Sequence, residues 1–346
     1  MQRRTIVILG GAAIATSVAT VFLTPDAPMP LPPAALAFPG LAQRLANVSR
    51  IEVRRHDGTL VLLREGPDRW VLPEKGNYPA RGEKVREVLV GLTELRLIEP
   101  RTADAAMLDR LGVEDPSAAG ATSSLLRLLD ANGAPIAELI LGRRRMRTQG
   151  GLAGSNVPET IYVRRPNETQ AWLAEGRLPV DSDPNLWIDR DIANLPRDRV
   201  RRVVVSRPGD APLELVRGGD PDGALRVAVP ADAPATDEVS IDEVGRAFEF
   251  LTFTDVKPEA DWPGAAVGES VFTLTDGLAI TLRGRRDGDA FWVALSAAGD
   301  DEAARLNARW RGWAYQLGPW KEKAFLPTIG DLVRPPETAV PAPAAN

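Results

Sequence analysis

The 346-residue sequence contains no cysteine and a single histidine, His56. Without cysteine there can be no disulfide, no thiolate nucleophile and no CxxC or iron–sulfur site. With one histidine there can be no multi-histidine zinc site, and a catalytic triad would need His56 itself. Lysine is also scarce, with five lysines beside 37 arginines. Because the formal net charge is −5, this bias indicates genome composition and not nucleic-acid binding.

The remaining composition is that of a globular protein. Hydrophobic residues make up 44% of the chain and charged residues 26%. Thirty glycines and thirty prolines indicate many turns and loops. The length predicts two globular domains.

The N-terminus carries a membrane signal. Arg3 and Arg4 precede an uncharged stretch of 19 residues, from Thr5 to Leu23. Since a cleaved signal has a shorter apolar region, about 7–15 residues, the stretch favours an uncleaved transmembrane helix. A cleaved signal peptide is the alternative, although the small-residue site Ala35-Leu36-Ala37 lies well past the apolar end. The positive-inside rule then predicts a single-pass protein of the bacterial inner membrane with its body in the periplasm.

The body of the chain repeats itself. Both Val48–Pro73 and Val200–Pro230 show three alternating strands separated by turns, and a helix, further strands and an aromatic strand follow each. Hairpin turns are predicted at residues 130–133 and 276–277. The predicted fold class is α+β. It consists of two tandem repeats of a mainly antiparallel β-sheet unit with packed helices, preceded by one N-terminal transmembrane helix.

The helices of the two repeats follow from apolar stripes. They are predicted over residues 80–95 and 240–253. Ser240, with Glu243 three residues later, fits a capping box at the start of the second helix. Each repeat is predicted to close with an aromatic strand and a short helix. The predicted segments are a membrane anchor (1–23), a Pro-rich spacer (24–47), a first repeat (48–180), a connector (181–199), a second repeat (200–328) and a disordered tail (329–346).

Two groups of residues are candidates for a contact surface. The basic group, before a glycine-rich stretch, suits phosphates or anionic lipids, but a solvated hairpin end explains it as well. The aromatic group suits stacking on sugars or a membrane interface, but core packing explains it as well. The other five tryptophans, including Trp262 and Trp292, are interpreted as core anchors. The candidate residues are Arg143, Arg144, Arg145, Arg147, Trp310, Trp313, Tyr315 and Trp320.

Other chemistry-bearing residues have simpler explanations. His56 beside Asp57 could act as a general base, but an exposed turn residue is the favoured interpretation. The carboxylates of residues 181–191 could ligate a hard cation, but they lack the frame of a calcium loop, and helix capping is favoured. No catalytic residue, no cofactor and no metal site is predicted.

Several segments resemble the bacterial domain of unknown function 4340 family. They are FPGLAQRLANVSRIEV (38–53), RWVLPEKGNYPARGEKVREVLVGLTELRLIEPRTAD (69–104), LDRLGVEDP (108–116), the strand–helix YVRRPNETQAWLA (162–174) and LWIDRDI (186–192). The resemblance extends over most of the chain from Phe38 and rests on structural residues. It implies an envelope role as an auxiliary component of uncharacterised ABC transport systems of the gliding-motility type, with no functional residue to transfer.

Three functions are compatible with these observations. The first is a non-enzymatic, membrane-anchored periplasmic accessory protein that contacts ABC permease and ATPase subunits or other envelope proteins. The second is a module that binds an envelope glycan or lipid. The third is a hydrolase that uses carboxylates alone, as glycosidases can. The sequence leaves the oligomeric state and the transported substrate open.

Overall fold

The computed structural model describes residues 34–145, 159–219 and 223–333. The chain forms two compact units. The first contains the described residues up to Val48, Val53–Gly58 and Glu87–Val180. The second contains Ser49–Glu52, Thr59–Arg86 and the described residues from Asp181. The sequence boundaries given above for the two repeats stay predictions.

The first half of the chain is built mainly from short strands. The strands are β1 (Ala35–Leu36), β2 (Arg50–Arg55), β3 (Gly58–Arg64), β4 (Trp70–Leu72), β5 (Tyr78–Pro79), β6 (Arg96–Thr102), β7 (Ser124–Leu129), β8 (Pro135–Arg145), β9 (Thr160–Arg164) and β10 (Ala171–Glu175). The helices are α1 (Leu41–Arg44), α2 (Gly82–Glu94) and α3 (Leu108–Leu111). Single 3₁₀ turns are Leu45–Asn47, Pro73–Lys75 and Ala105–Met107.

The second half has the same make-up. Its strands are β11 (Asp191–Ala193), β12 (Val200–Ser206), β13 (Leu213–Arg217), β14 (Leu225–Val229), β15 (Leu251–Thr252), β16 (Asp255–Pro258), β17 (Ala265–Leu274), β18 (Ala279–Asp287), β19 (Ala290–Ala298) and β20 (Trp313–Leu317). The helices are α4 (Glu238–Gly245), α5 (Asp301–Trp310), α6 (Lys321–Phe325) and α7 (Ile329–Leu332). Single 3₁₀ turns are Pro184–Leu186, Arg197–Arg199 and Glu259–Asp261.

Eight strands of each half are arranged in one common order. The first sheet has ten strands in the order β1-β6-β10-β9-β8-β7-β2-β3-β4-β5. The second has eight, in the order β14-β13-β12-β17-β18-β19-β20-β16. We read the strand order of the first sheet from β5 to β1 and leave out these two edge strands. The remaining eight strands, from β4 to β6, then have the same connectivity as the eight strands of the second sheet, from β14 to β16. Neighbouring strands with an assigned register run antiparallel, as at β8–β9 and β18–β19, so the mainly antiparallel α+β fold class is confirmed.

The predicted hairpin turns are confirmed. The turn at residues 130–133 joins β7 to β8. In this turn the Asp130 carboxylate accepts the backbone N–H groups of Asn132 and Ala134, both at 2.8 Å. Gly277, at φ +89°, turns β17 into β18. Glycine suits this position because it adopts positive φ without a steric penalty.

The two predicted helices are present with different lengths. Helix α2 buries Val85, Val88 and Leu92, as its apolar stripe predicted. The second helix, α4, ends at Gly245, eight residues before the predicted end. The predicted capping box at Ser240 is wrong. Asp237 is the N-cap, because its carboxylate accepts the Ser240 backbone N–H at 2.9 Å and so fixes the start of the helix three residues earlier.

The short helix predicted at the end of the first repeat is also wrong. Residues 171–175 form β10, which pairs with β9 on one side and β6 on the other. Pairing on both sides and burial of Ala171 and Leu173 outweigh the helix propensity of this alanine-containing segment. In the second half the predicted order holds, and helix α6 follows β20.

Three buried phenylalanines join the helices of the second unit to one face of its sheet. The Phe248 ring meets the Phe272 and Phe325 rings at 5.0 Å each, and Phe272 meets Phe325 at 5.9 Å. All three pairs are edge-to-face, the favoured geometry for aromatic rings. This phenylalanine cluster joins the segment after α4, strand β17 and helix α6.

Some predictions concern residues outside those that the structure describes. These are the transmembrane anchor at 1–23, Arg147 and the tail beyond Val333. Within the described ranges, no helix combines the length and apolar character needed to cross a membrane. The predicted spacer is partly folded, since β1 pairs with β6 and Leu41 is buried. The first residues of the predicted tail form α7, with Thr328 and Asp331 in a capping box.

Replacing Gly91 by alanine should destabilise the protein. In a helix interior, the helix propensity of alanine is about 1 kcal/mol more favourable than that of glycine. A Cβ at Gly91 would, however, overlap the backbone carbonyl oxygen of Arg177. Overpacking costs about 1–3 kcal/mol, and a rigid carbonyl places this site at the upper end. We expect Gly91→Ala to lower the free energy of unfolding in urea, whereas Gly82→Ala, with nothing closer than 3.9 Å, should not. Equal stability of the two variants would contradict the packing described.

Candidate contact site

The structure separates the four aromatic residues of the candidate contact surface. Trp310 is fully buried, and its indole N–H donates to the Ile192 carbonyl oxygen at 3.1 Å. Tyr315 is buried too, and Trp313 is half-buried with its ring centroid 4.8 Å from that of Tyr78. Trp320 alone of the four is largely exposed, at 72%. Core packing therefore accounts for Trp310 and Tyr315, and Trp320 is the aromatic residue available to a partner.

The exposed ring of Trp320 is held in place. A Cβ at Gly318 would overlap three carbons of the six-membered ring of Trp320, so the ring lies directly against the glycine backbone. The Lys321 backbone N–H donates to the Gly318 carbonyl oxygen at 2.9 Å and closes the turn that carries Trp320. The outer face of the indole is thus presented to solvent on a defined support.

A second exposed ring lies at Phe250. It is 80% exposed and has φ +47°, a left-handed conformation that is rare for a bulky residue. Its backbone N–H donates to the Asn194 side-chain oxygen at 3.1 Å. Such strain costs about 1–3 kcal/mol and persists only where the surrounding structure imposes it. Because an exposed ring recovers little of this cost by burial, the position favours a role outside folding.

Lys321 connects the segments that carry the two rings. Lys321 directly follows Trp320 in the chain. Its ammonium group donates to the carbonyl oxygen of Ala247, three residues before Phe250, at 2.9 Å. Burial lowers the pKa of Lys321, against the opposing effect of Glu243 and Glu249. We refer to the two exposed rings and the lysine that links their segments, Phe250, Trp320 and Lys321, as the aromatic patch. The buried pair Phe248 and Phe325 lies beneath the same two segments.

The arginines of the basic group lie at the end of β8. Arg143, Arg144 and Arg145 are exposed. Arg144 donates to the carbonyl oxygens of Leu178 at 2.8 Å and Val180 at 3.3 Å, so it ties two segments of the first unit together. Arg147 lies outside the described residues. A contact role for the arginines stays a prediction.

The other chemistry-bearing residues of the sequence lie in turns, local caps and ion pairs. His56 is an exposed residue in the turn between β2 and β3. The Asp183 carboxylate caps the 3₁₀ turn Pro184–Leu186 by accepting the Asn185 backbone N–H at 2.9 Å, as predicted, whereas the Asp181 carboxylate accepts the Asp183 N–H at 2.8 Å in the turn before it. Asp189 also pairs with Arg309 at 2.6 Å. In residues 34–145, 159–219 and 223–333, no group of three or more histidine, aspartate or glutamate side chains is arranged to hold a metal ion.

Sequence reasoning missed Phe250. It was assigned to the helix predicted over 240–253, where Phe248 and Leu251 lie on the apolar stripe and Phe250 does not. A large apolar residue outside its stripe was the available signal. Its left-handed backbone could not be predicted, because it depends on the end of α4 at Gly245 and on the distant hydrogen bond to Asn194.

A comparison with known protein families finds a match. A family model described as a domain of unknown function (DUF4340) matches residues 70–263, more than half of the chain. No curated protein and no solved structure matches the sequence.

Replacing Phe250 by asparagine should leave stability intact or raise it. Asparagine adopts left-handed backbone conformations more readily than phenylalanine, and the lost ring is mostly exposed. We expect a gain in the free energy of unfolding of up to about 1 kcal/mol in urea titrations. The matched variant Phe248→Asn removes a fully buried ring and should lose about 3–5 kcal/mol. A comparable loss in both variants would show that Phe250 serves the core.

Proposed function

The chain belongs to the DUF4340 family, and from that premise we propose that it is a non-enzymatic, membrane-anchored accessory protein of an ABC-type transport system. It acts in the bacterial periplasm by contact with permease subunits. The observation that carries the proposal is the aromatic patch, in which two large rings are exposed, the Trp320 ring lies against Gly318 and the Phe250 backbone is held by Asn194.

Exposed, fixed aromatic rings suit protein contact. Tryptophan is enriched among the few residues that dominate the binding energy of interfaces. The Trp320 ring, which Gly318 already orients, loses less conformational entropy when a partner covers it. The ammonium group of Lys321 is engaged by the Ala247 carbonyl oxygen, so the two rings provide the main apolar surface of the patch. We infer that the partner offers an apolar groove with acceptors at its rim.

The N-terminal sequence supports the location. Arg3, Arg4 and the apolar stretch that follows predict one membrane-spanning helix, which would hold the body beside integral membrane subunits. The resemblance of the segments quoted above to auxiliary components of ABC systems supports the same partner class.

Binding of an envelope glycan is the second candidate function. Trp320 favours it, because a tryptophan face supported from behind and open to solvent can stack on a sugar ring. Binding to isolated cell wall tests this alternative, and loss of that binding in Trp320→Ser with retention in Phe250→Ser would separate it from protein contact. The carboxylate hydrolase stays a hypothesis.

Removing both exposed rings should release the partner. In detergent extracts, the tagged full-length chain should recover an ABC permease, measured by quantitative mass spectrometry. We expect the double variant Phe250→Ser, Trp320→Ser to reduce that recovery at least tenfold, in line with about 2 kcal/mol for one interface anchor.

The matched control removes exposed apolar groups elsewhere. Val90→Ser and Met107→Ser alter residues of the first unit that are 41% and 36% exposed. This double variant should recover as much permease as the unaltered chain. Full recovery with the patch variant, or failure of the unaltered chain to recover any permease, would contradict the proposal.

A further inference from the structure

A second surface feature lies on β17 and β18, apart from the aromatic patch. It is a concavity of about 450 Å³ lined by arginines, a tryptophan and one glutamate. Ligand sites of proteins commonly have volumes of about 300–1,000 Å³. The lining side chains used below are Arg207, Trp262, Glu269, Arg283 and Arg285. We name this feature the arginine–tryptophan concavity.

Two guanidinium groups point to the same side of the sheet. Arg283 and Arg285 are two residues apart on β18, so their side chains leave the same face. The central carbons of their guanidinium groups lie 5.4 and 4.4 Å from the centre of the Trp262 ring. Across the β18–β19 pair, Arg285 is opposite Trp292, which packs against Trp262. Stacking on the indole therefore orients both guanidinium groups.

Most donors of these two groups are not used by the protein. Arg283 donates through Nη2 to Glu259, and Arg285 donates through Nη1 to the Trp262 carbonyl oxygen at 2.8 Å. A guanidinium group has five N–H donors. Within the described parts of the chain, neither arginine has a further hydrogen-bonded acceptor. Both groups therefore remain competent to bind an oxyanion.

The lining carries three arginines and one carboxylate, and two of the arginines, Arg207 and Arg283, have acidic partners beside the concavity. Arg207 donates to the Leu326 carbonyl oxygen at 2.6 Å and contacts Glu322 at 3.3 Å, so its role is structural. Glu322 also pairs with Arg286, which leaves from the other face of β18. Lys257 lies over the Trp292 ring at 5.2 Å and adds a cation on the same side. Glu269, opposite Arg283 in register, is the one carboxylate in the lining.

We propose that the arginine–tryptophan concavity binds a phosphate ester, with the phosphate oxygens bridging Arg283 and Arg285. A tetrahedral phosphate offers several acceptor oxygens, so two guanidinium groups on one face can share it. The organic part of the ligand fits the remaining volume beside Trp262. A lipid head group and a soluble sugar or glycerol phosphate share this chemistry. The site is independent of the contact function proposed above.

Fluorescence of the tryptophans tests the site on the full-length chain in a non-ionic detergent. The probes are glycerol 3-phosphate and the short-chain lipid dihexanoyl phosphatidylglycerol. We expect a saturable change in emission with at least one probe, because Trp262 contacts both guanidinium groups. Saturation by the lipid alone assigns the ligand to a head group, and saturation by both assigns it to phosphate esters in general. No saturable change with either probe overturns the proposal.

Charge-removing variants test which lining residues attract the phosphate and which repel it. Arg283→Gln and Arg285→Gln should each raise the dissociation constant at least tenfold, and Glu269→Gln should lower it, because it removes the repelling carboxylate. Arg305→Gln, an exposed charge change on α5, should leave it unaltered. A variant could lose the fluorescence change and still bind the probe. Calorimetric titration of the same variants measures binding without that signal. Unaltered affinity in Arg283→Gln and Arg285→Gln, with thermal unfolding like that of the parent, overturns the proposal.

Discussion

The phenylalanine cluster of Phe248, Phe272 and Phe325 is the contact on which the second unit depends. It packs the segment after α4 and the helix α6 against the buried face of the sheet. Both exposed rings lie on segments that the cluster anchors. Phe250 comes two residues after a buried ring, and Trp320 lies in the turn that leads into the helix carrying Phe325. The aromatic patch is thus carried by two segments that a packed core anchors.

The two faces of the second sheet have different characters. The face under the helices carries the phenylalanine cluster. The other face carries Arg283 and Arg285, which stack on Trp262 and leave most of their donors unpaired. Alternation along β18 produces this division, because neighbouring residues point to opposite sides of the sheet. A single strand therefore contributes both to the core and to a charged, open concavity.

Sequence periodicity predicted the parts of the fold that local chemistry determines. The stripe of α2, the Asp130 turn and the duplicated strand pattern all follow from short-range patterns. The order of eight strands, shared by both sheets, could not be derived, because pairing joins residues far apart in sequence. The same limit applies to the site. Trp310 and Trp320 belong to one aromatic cluster in sequence, and only tertiary packing buries the first and exposes the second.

Photo-crosslinking from position 250 in intact cells tests whether the aromatic patch contacts a permease. A photoreactive phenylalanine derivative replaces Phe250 in the full-length chain, and a matched variant carries it at Ala131, an exposed residue in the β7–β8 turn. We expect a discrete adduct with a permease subunit from position 250 and none from position 131. No adduct from position 250, or the same products from both positions, would contradict a role for the aromatic patch in protein contact.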